Sequence, residues 1–317
     1  MSVIKSALFK LGVCALIVIL PSFAPPAKRY FDQWVINGQW YLSTASGLEL
    51  AKVNSFEVIL PLEDDRITCL HFANDELLAG TFNGILYTQK NTNWTQIPLP
   101  KQKNKEPFLI NGICIKDEKK WISTLEGTIF SLDAEQEFKA YPLYKPKSDQ
   151  TENITGLSLD NSNQLWVTTL SQVYFLTNIH QGRNKNYDFL ASSDLREPNA
   201  KLFDSPEGNF IWTRIKGKNR LRIGTLSSRL MDALSNDILL PKQLQTEQVL
   251  SITRNPTGMW FLVKDKLYLY RNLQWLSQSL EKSQTENVQS FVVFNGAIHL
   301  CAPDKQWTLA LNLSPIE

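Results

Sequence analysis

Few side chains in this sequence stand where they could do acid–base or metal chemistry. Its 317 residues include three histidines (His71, His180, His299) and four cysteines (Cys14, Cys69, Cys114, Cys301). His71 with Asp75, or His299 with Asp304, has the residue types of a general acid–base pair. Neither pair has a nucleophile or a third orienting group close in sequence, so neither completes a catalytic constellation. Zinc draws Cys or His ligands in short-spaced clusters, and the sequence has no CxxC. No catalytic residue, metal or cofactor is expected. His71 alternates in phase with Cys69, and is read as facing an axial channel.

A denser signal is cationic. Residues Thr213 to Ile223 read TRIKGKNRLRI. Arg214, Lys216, Lys218, Arg220 and Arg222 share one parity, Ile215, Leu221 and Ile223 take the other, and Gly217-Lys218-Asn219 reads as a hairpin turn. The expectation is a protruding or edge hairpin with one cationic and one apolar face. It is either a solvated charged face or a docking site for an anionic partner, lipid headgroup or glycan. Lys101, Lys103 and Lys105, with Lys145 and Lys147, fall in two long connectors and read as rim loops, their charge diluted by Glu106, Asp149 and Glu152. Over the whole chain 33 basic residues meet 31 acidic ones, and a net charge of +2 gives no global field for nucleic acid.

The first residues read as an address. Lys5 and Lys10 precede an uncharged run from Leu11 to Leu20, and Pro21 stops it. A basic start and a short apolar core form a secretory signal. The run is shorter than the roughly 20 residues of a comfortable membrane span. Ser22-Phe23-Ala24 would suit cleavage, although Pro25 follows; an uncleaved anchor over residues 3–23, with Lys10 snorkelling, is the alternative, and a plain N-terminal helix a third. Residues 1–27 are therefore expected to be a signal peptide or membrane anchor, and 28–317 a single exported domain, periplasmic or extracellular. Cys14 precedes most of the apolar run, which argues against lipidation.

The elements that position these residues come from a repeat. ITCLHFANDELLAGTFNGILYTQ from Ile67, INGICIKDEKKWISTLEGTIFSLD from Ile110 and ITGLSLDNSNQLWVTTLSQVYFLT from Ile154 align without effort. Each has an alternating strand, a polar turn, a second strand ending in Thr, a tight turn and a third strand. The third position of the opening strand is small, giving Cys69, Gly112 and Gly156, then Ala200, Ser251 and Ser290 at steps of 43, 44, 44, 51 and 39 residues. A further copy starts upstream, with Asp32 breaking the small-residue rule. Four short antiparallel strands at this period predict an all-β fold, a β-propeller of seven blades, with six as the alternative. Small residues would let inner strands crowd together, while Leu70, Phe72, Ile113, Ile115, Leu157 and Leu159 pack between blades. Trp121, Trp166, Trp212 and Trp260 read as inter-blade core. The last copy lacks a fourth strand, so Tyr30–Val35 is expected to complete it and close the ring.

The pattern Ile154-Thr155-x-Leu157, then Leu165-Trp166-Val167-x-Thr169, resembles the two-component-regulator propeller repeat of bacterial sensors. Ile67, Thr68, Leu70, Thr81 and Gly84 match it next. The resemblance covers about residues 38–313 and implies a periplasmic propeller that binds a ligand or a protein partner; its motif is structural and supplies no catalytic residues. The functional expectation is a non-catalytic scaffold for a protein or small-ligand partner in the cell envelope, sensory or assembly-related. The alternative is a propeller lyase or hydrolase with its site at the tunnel mouth, marked by carboxylates converging with His71.

Overall fold

Alternating strands need turns that match their twist, and this chain supplies them. Asn37-Gly38, Asn74-Asp75, Asp117-Glu118 and Asn295-Gly296 all have positive φ, the backbone of two-residue hairpins between first and second strands. A computed structural model describes residues 29–101, 106–144, 149–159, 163–181, 184–191, 200–203, 209–224 and 236–316. They form seven antiparallel sheets in chain order, over residues 30–61, 67–98, 110–142, 154–191, 201–238, 249–279 and 290–310. We call these blades 1 to 7.

Each blade is a meander whose first strand is innermost. A one-residue register shift recurs in that strand, between Tyr30 and Asp32, Ile67 and Cys69, Ile154 and Gly156, and Val249 and Ser251. The shift sets Asp32 opposite Ser43, Cys69 opposite Gly80, Gly112 opposite Ser123, Gly156 opposite Thr168 and Ser251 opposite Leu262, while Ser290 opens its strand opposite Cys301 without a shift. The skipped residue is freed to reach the next blade. Thr68 donates to the carbonyl of Ile110, and Asn111 Nδ2 donates to that of Ile154 at 2.6 Å. Ser43 Oγ makes the matching link from blade 1 to Ile67 at 3.0 Å.

Smallness at the slot has a direct cause. A Cβ on Gly112 would lie 2.8 Å from Leu157 Cβ in blade 4 and 2.6 Å from Ser123 Oγ. The opposite strand face carries the apolar residues. Leu70 and Phe72 pack on the core of blade 1, Ile113 and Ile115 on Leu78 and Leu86, and Leu157 and Leu159 on Trp121 and Ile129. The four expected tryptophans are buried.

Two expectations change. Strand number is not uniformly four: blade 7 has three, and blade 6 has five because Ser314–Pro315 pairs with its outer strand Gln274–Ser279. Tyr30–Ile36 does not complete blade 7. It is the inner strand of blade 1, paired with Gln39–Thr44 through the Asn37-Gly38 turn, because so tight a hairpin leaves the two strands no freedom to separate. Among the described residues the first and last blades meet instead through separate hydrogen bonds: Gln33 Nε2 donates to the carbonyls of Ser290 (3.2 Å) and His299 (2.9 Å), and the Tyr30 backbone N–H donates to the carbonyl of Pro303. The expected signal or anchor, residues 1–27, lies outside the described residues; among those described, no helix is long and apolar enough to cross a membrane.

Candidate binding face

At the axis, Asp32 is the exception that fits the slot. Its Oδ1 accepts the Gln33 N–H at 2.8 Å. Burial pushes its carboxyl up to about 6, against the pull of that N–H, the Ser290 hydroxyl and the charge of Lys201. Burial lowers the Lys201 ammonium, and Asp32 opposes that shift. The Cys69 and Cys301 thiols, both near Asp32, are pushed up to about 12, chiefly by burial, and are unreactive at neutral pH.

Histidine chemistry is sparse here. His71 sits opposite Leu78 on the same strand face as Cys69, and its shift downward comes from burial alone. His299 meets Thr308 at 3.0 Å through Nδ1 and stacks 4.0 Å from the Trp40 ring, a packing role. Among the described residues no group of three or more His, Cys, Asp or Glu could hold a metal.

The cationic hairpin forms, but not with one cationic face. Strands Asn209–Ile215 and Lys218–Gly224 pair Ile215 with Lys218, Arg214 with Asn219, Thr213 with Arg220 and Ile211 with Arg222. Paired residues share a face, and each pair joins an odd number to an even one. Arg214 thus lies with Trp212 and Leu221, while Lys218, Arg220 and Arg222 lie on the other side. Shared parity fails as a guide once the chain turns through Lys216-Gly217. Arg220 pairs with Asp237 at 3.0 Å, and Arg214 reaches the Thr246 carbonyl at 3.4 Å. Lys216, Lys218 and Arg220 do line a cavity of about 600 Å³ with Leu239 and Leu240. Of the rim lysines, Lys101 is exposed; Lys103, Lys105, Lys145 and Lys147 lie outside the described residues.

The face that carries the turns between second and third strands is more ordered. Each second strand of blades 2 to 4 ends in a fully buried Thr whose Oγ1 accepts an N–H across the turn: Thr81 from Ile85, Thr124 from Thr128, Thr169 from Gln172. The next residue donates its own N–H to the carbonyl just before the inner strand, Phe82 to Arg66, Leu125 to Leu109 and Leu170 to Asn153. Three side chains are thereby held in equivalent positions, and they are apolar and exposed: Phe82 at 42%, Leu125 at 39%, Leu170 at 48%. Beside them Arg66 lies over two rings, 4.6 Å from Phe82 and 5.5 Å from Phe31. None of these four was singled out from sequence, although the repeat alignment places an apolar residue after each Thr.

No family profile and no curated relative matches this sequence. Solved structures do. An extracellular domain assigned to the hybrid two component system BT4673 of B. thetaiotaomicron superposes with a TM-score of 0.59 at 13% identity, over 90% of this chain and 38% of that one. PorZ, a surface component of the type-IX secretion system of Porphyromonas gingivalis, gives 0.61 at 12% identity, over 90% and 38%. YCF48 from Cyanidioschyzon merolae gives 0.59 at 14% identity, over 90% and 96%. The likeness is one of fold. The chain spans 38% of the length of the BT4673 domain and of PorZ, and nearly all of YCF48. A second YCF48 structure is described as bound to D1 peptide. Extracellular domains of two-component systems are thus among the solved structures that share this propeller architecture.

Proposed function

We propose that this chain is an exported, non-catalytic seven-bladed scaffold that binds a protein partner in the cell envelope, in a sensory or assembly role. The observation that carries this reading is the arc of Phe82, Leu125 and Leu170, fixed by one repeated turn and flanked by Arg66 on Phe31 and Phe82. Exposed apolar side chains held in register across three blades are costly on a surface that meets only water. Aromatic and arginine side chains together form the composition of binding hot spots. A peptide-bound YCF48 and a secretion-system PorZ on the same fold support the reading. The anionic partner remains the alternative for the cavity beside Lys216, Lys218 and Arg220.

Affinity capture of the native protein from detergent-solubilised envelopes tests it. A Phe82→Asp/Leu125→Asp/Leu170→Asp variant should lose the captured partner, while Arg214→Glu/Lys216→Glu/Arg220→Glu/Arg222→Glu should retain it. Loss only with the second set moves the site to the hairpin. No partner with any form, at endogenous expression, refutes the scaffold reading.

A further inference from the structure

Blade 7 ends at its third strand, Lys305–Ala310, where every other blade adds at least one more. Four sister blades show what stands in the missing place. The outermost strand ends opposite the first residue of the third: Pro61 faces Gly47, Pro98 faces Ile85, Pro142 faces Thr128, and Ser279 faces Lys266. The residue that follows is leucine each time. Leu62, Leu99, Leu143 and Leu280 are all buried, and each donates its N–H to the carbonyl just before the third strand, of Ser46, Gly84, Gly127 or Asp265.

In blade 7 the corresponding carbonyl belongs to Asp304, and among the described residues no backbone N–H reaches it. Beside it lies a pocket of about 350 Å³ lined by Arg29, Tyr30, Phe31, Arg66, Pro303 and Asp304. The second residue of the third strand packs next to the leucine, and it is Leu48, Leu86, Ile129 or Leu267 in the sister blades, all fully buried. Blade 7 has Gln306 there, and its buried Nε2 has no partner among the described residues. Arg29 and Arg66 are exposed, and among the described residues no carboxylate or acceptor engages either guanidinium. They are counterparts, since their carbonyls take the N–H of Ala45 and Phe82 at the same turn position. In blade 1 the seated leucine is followed by Glu63-Asp64-Asp65, which leads the chain to Arg66.

We propose that this outer-strand position, unfilled among the described residues, is the docking site for an extended segment of a protein partner. The segment adds antiparallel to Lys305–Ala310, seats a leucine in the pocket with its N–H on the Asp304 carbonyl, and sets acidic residues after it against Arg29 and Arg66. Main-chain pairing supplies affinity, and the seated side chain and charges supply selectivity. The pattern sought is apolar-Pro-Leu followed by acidic residues, as in Leu60-Pro61-Leu62-Glu63-Asp64. This rests on the scaffold reading and adds to the arc a second contact for the same partner, joined to Phe82 through Phe31 and Arg66. The competing occupant is the chain itself, because Val18-Ile19-Leu20-Pro21 repeats Val58-Ile59-Leu60-Pro61. After its Pro21 comes Ser22-Phe23-Ala24, with no leucine to seat and no acidic residue to meet Arg29 and Arg66.

The test uses the full chain and a synthetic decapeptide, FEVILPLEDD, copied from Phe56 to Asp65. Amide hydrogen exchange across Lys305–Ala310 should slow about tenfold at millimolar peptide, a change readily resolved between open and paired strand amides. A peptide with aspartate in place of its second leucine should give no protection. Arg29→Glu/Arg66→Glu should weaken peptide binding about tenfold, the yield of two reversed surface charges, with the thermal midpoint of the variant checking its fold. Unprotected Lys305–Ala310 amides at millimolar peptide overturn the proposal. So does protection already present in the full chain that vanishes when residues 1–28 are removed, which gives the seat to the chain's own segment. A captured partner that leaves these amides unchanged keeps the scaffold reading and overturns this one.

Discussion

Replacing Asp32 with asparagine should stabilise the protein above neutral pH and leave it unchanged in acid. The carboxyl is held at about 6, against 3.8 for a free aspartate. The native state therefore grips this proton more tightly than the unfolded chain. Stability from that grip is fully present below the unfolded value and is lost as pH rises through about 6. A gap of about two pH units, at about 1.4 kcal/mol each, sets a ceiling of about 3 kcal/mol. The effective dielectric at real buried sites is well above that of a dry interior and reduces it, so about 1–3 kcal/mol is the range to seek. The Asp32→Asn side chain keeps the oxygen that accepts the Gln33 N–H and removes only the charge. Urea unfolding of both proteins from pH 4 to pH 8, compared at each pH, cancels the other carboxylates. The Asp32→Asn variant should match the native protein near pH 4 and exceed it by that margin at pH 8. A difference that does not vary with pH would show that the carboxyl is not strained by burial. A variant less stable at pH 8 would show that attraction to Lys201 outweighs desolvation, contrary to the assignment made above.

Gly112→Ala should cost about 1–3 kcal/mol by thermal or urea melting, because its Cβ would meet Leu157 and Ser123 at under 3 Å, whereas Gly156→Ala meets only Thr168 Oγ1 at 2.9 Å and should cost less. Equal losses would refute crowding between inner strands. Asn111→Ala removes the link to the Ile154 carbonyl and should cost about 1 kcal/mol in the same assay. Lys201→Met should move the Asp32 titration further upward, read as a shift of the pH-dependent step in unfolding, because a favourable charge near the carboxylate is gone.

Much of this architecture was written in local chemistry. The slot residues at Cys69, Gly112, Gly156, Ser251 and Ser290 fell on inner strands because crowding between neighbouring blades leaves room for little else. The apolar residues of opposite parity followed by alternation. What escaped notice was anything set by the partner of a strand rather than by its own sequence. Parity within TRIKGKNRLRI could not say that Arg214 and Arg220 separate, since the pairing sum across a hairpin depends on which residues turn. The missing strand of blade 7 was legible, but its replacement was not: a hairpin as tight as Asn37-Gly38 commits Tyr30–Ile36 to blade 1 before any distant partner is available. Phe82, Leu125 and Leu170 were in plain view in the alignment. Their significance depends on exposure, which a repeat pattern does not carry.

The seam between first and last blades has a bearing on how the molecule is made. Among the described residues no blade takes strands from both ends of the chain, and apart from the late Ser314–Pro315 strand of blade 6 each sheet completes itself in the order the ribosome delivers it. Shutting the disc is then a docking event, sealed by Gln33, Tyr30 and the Trp40–His299 stack. Among the described strands, a newly made chain waits only for Ser314–Pro315 to return, and its unfinished intermediates expose one inter-blade surface instead of an orphaned sheet.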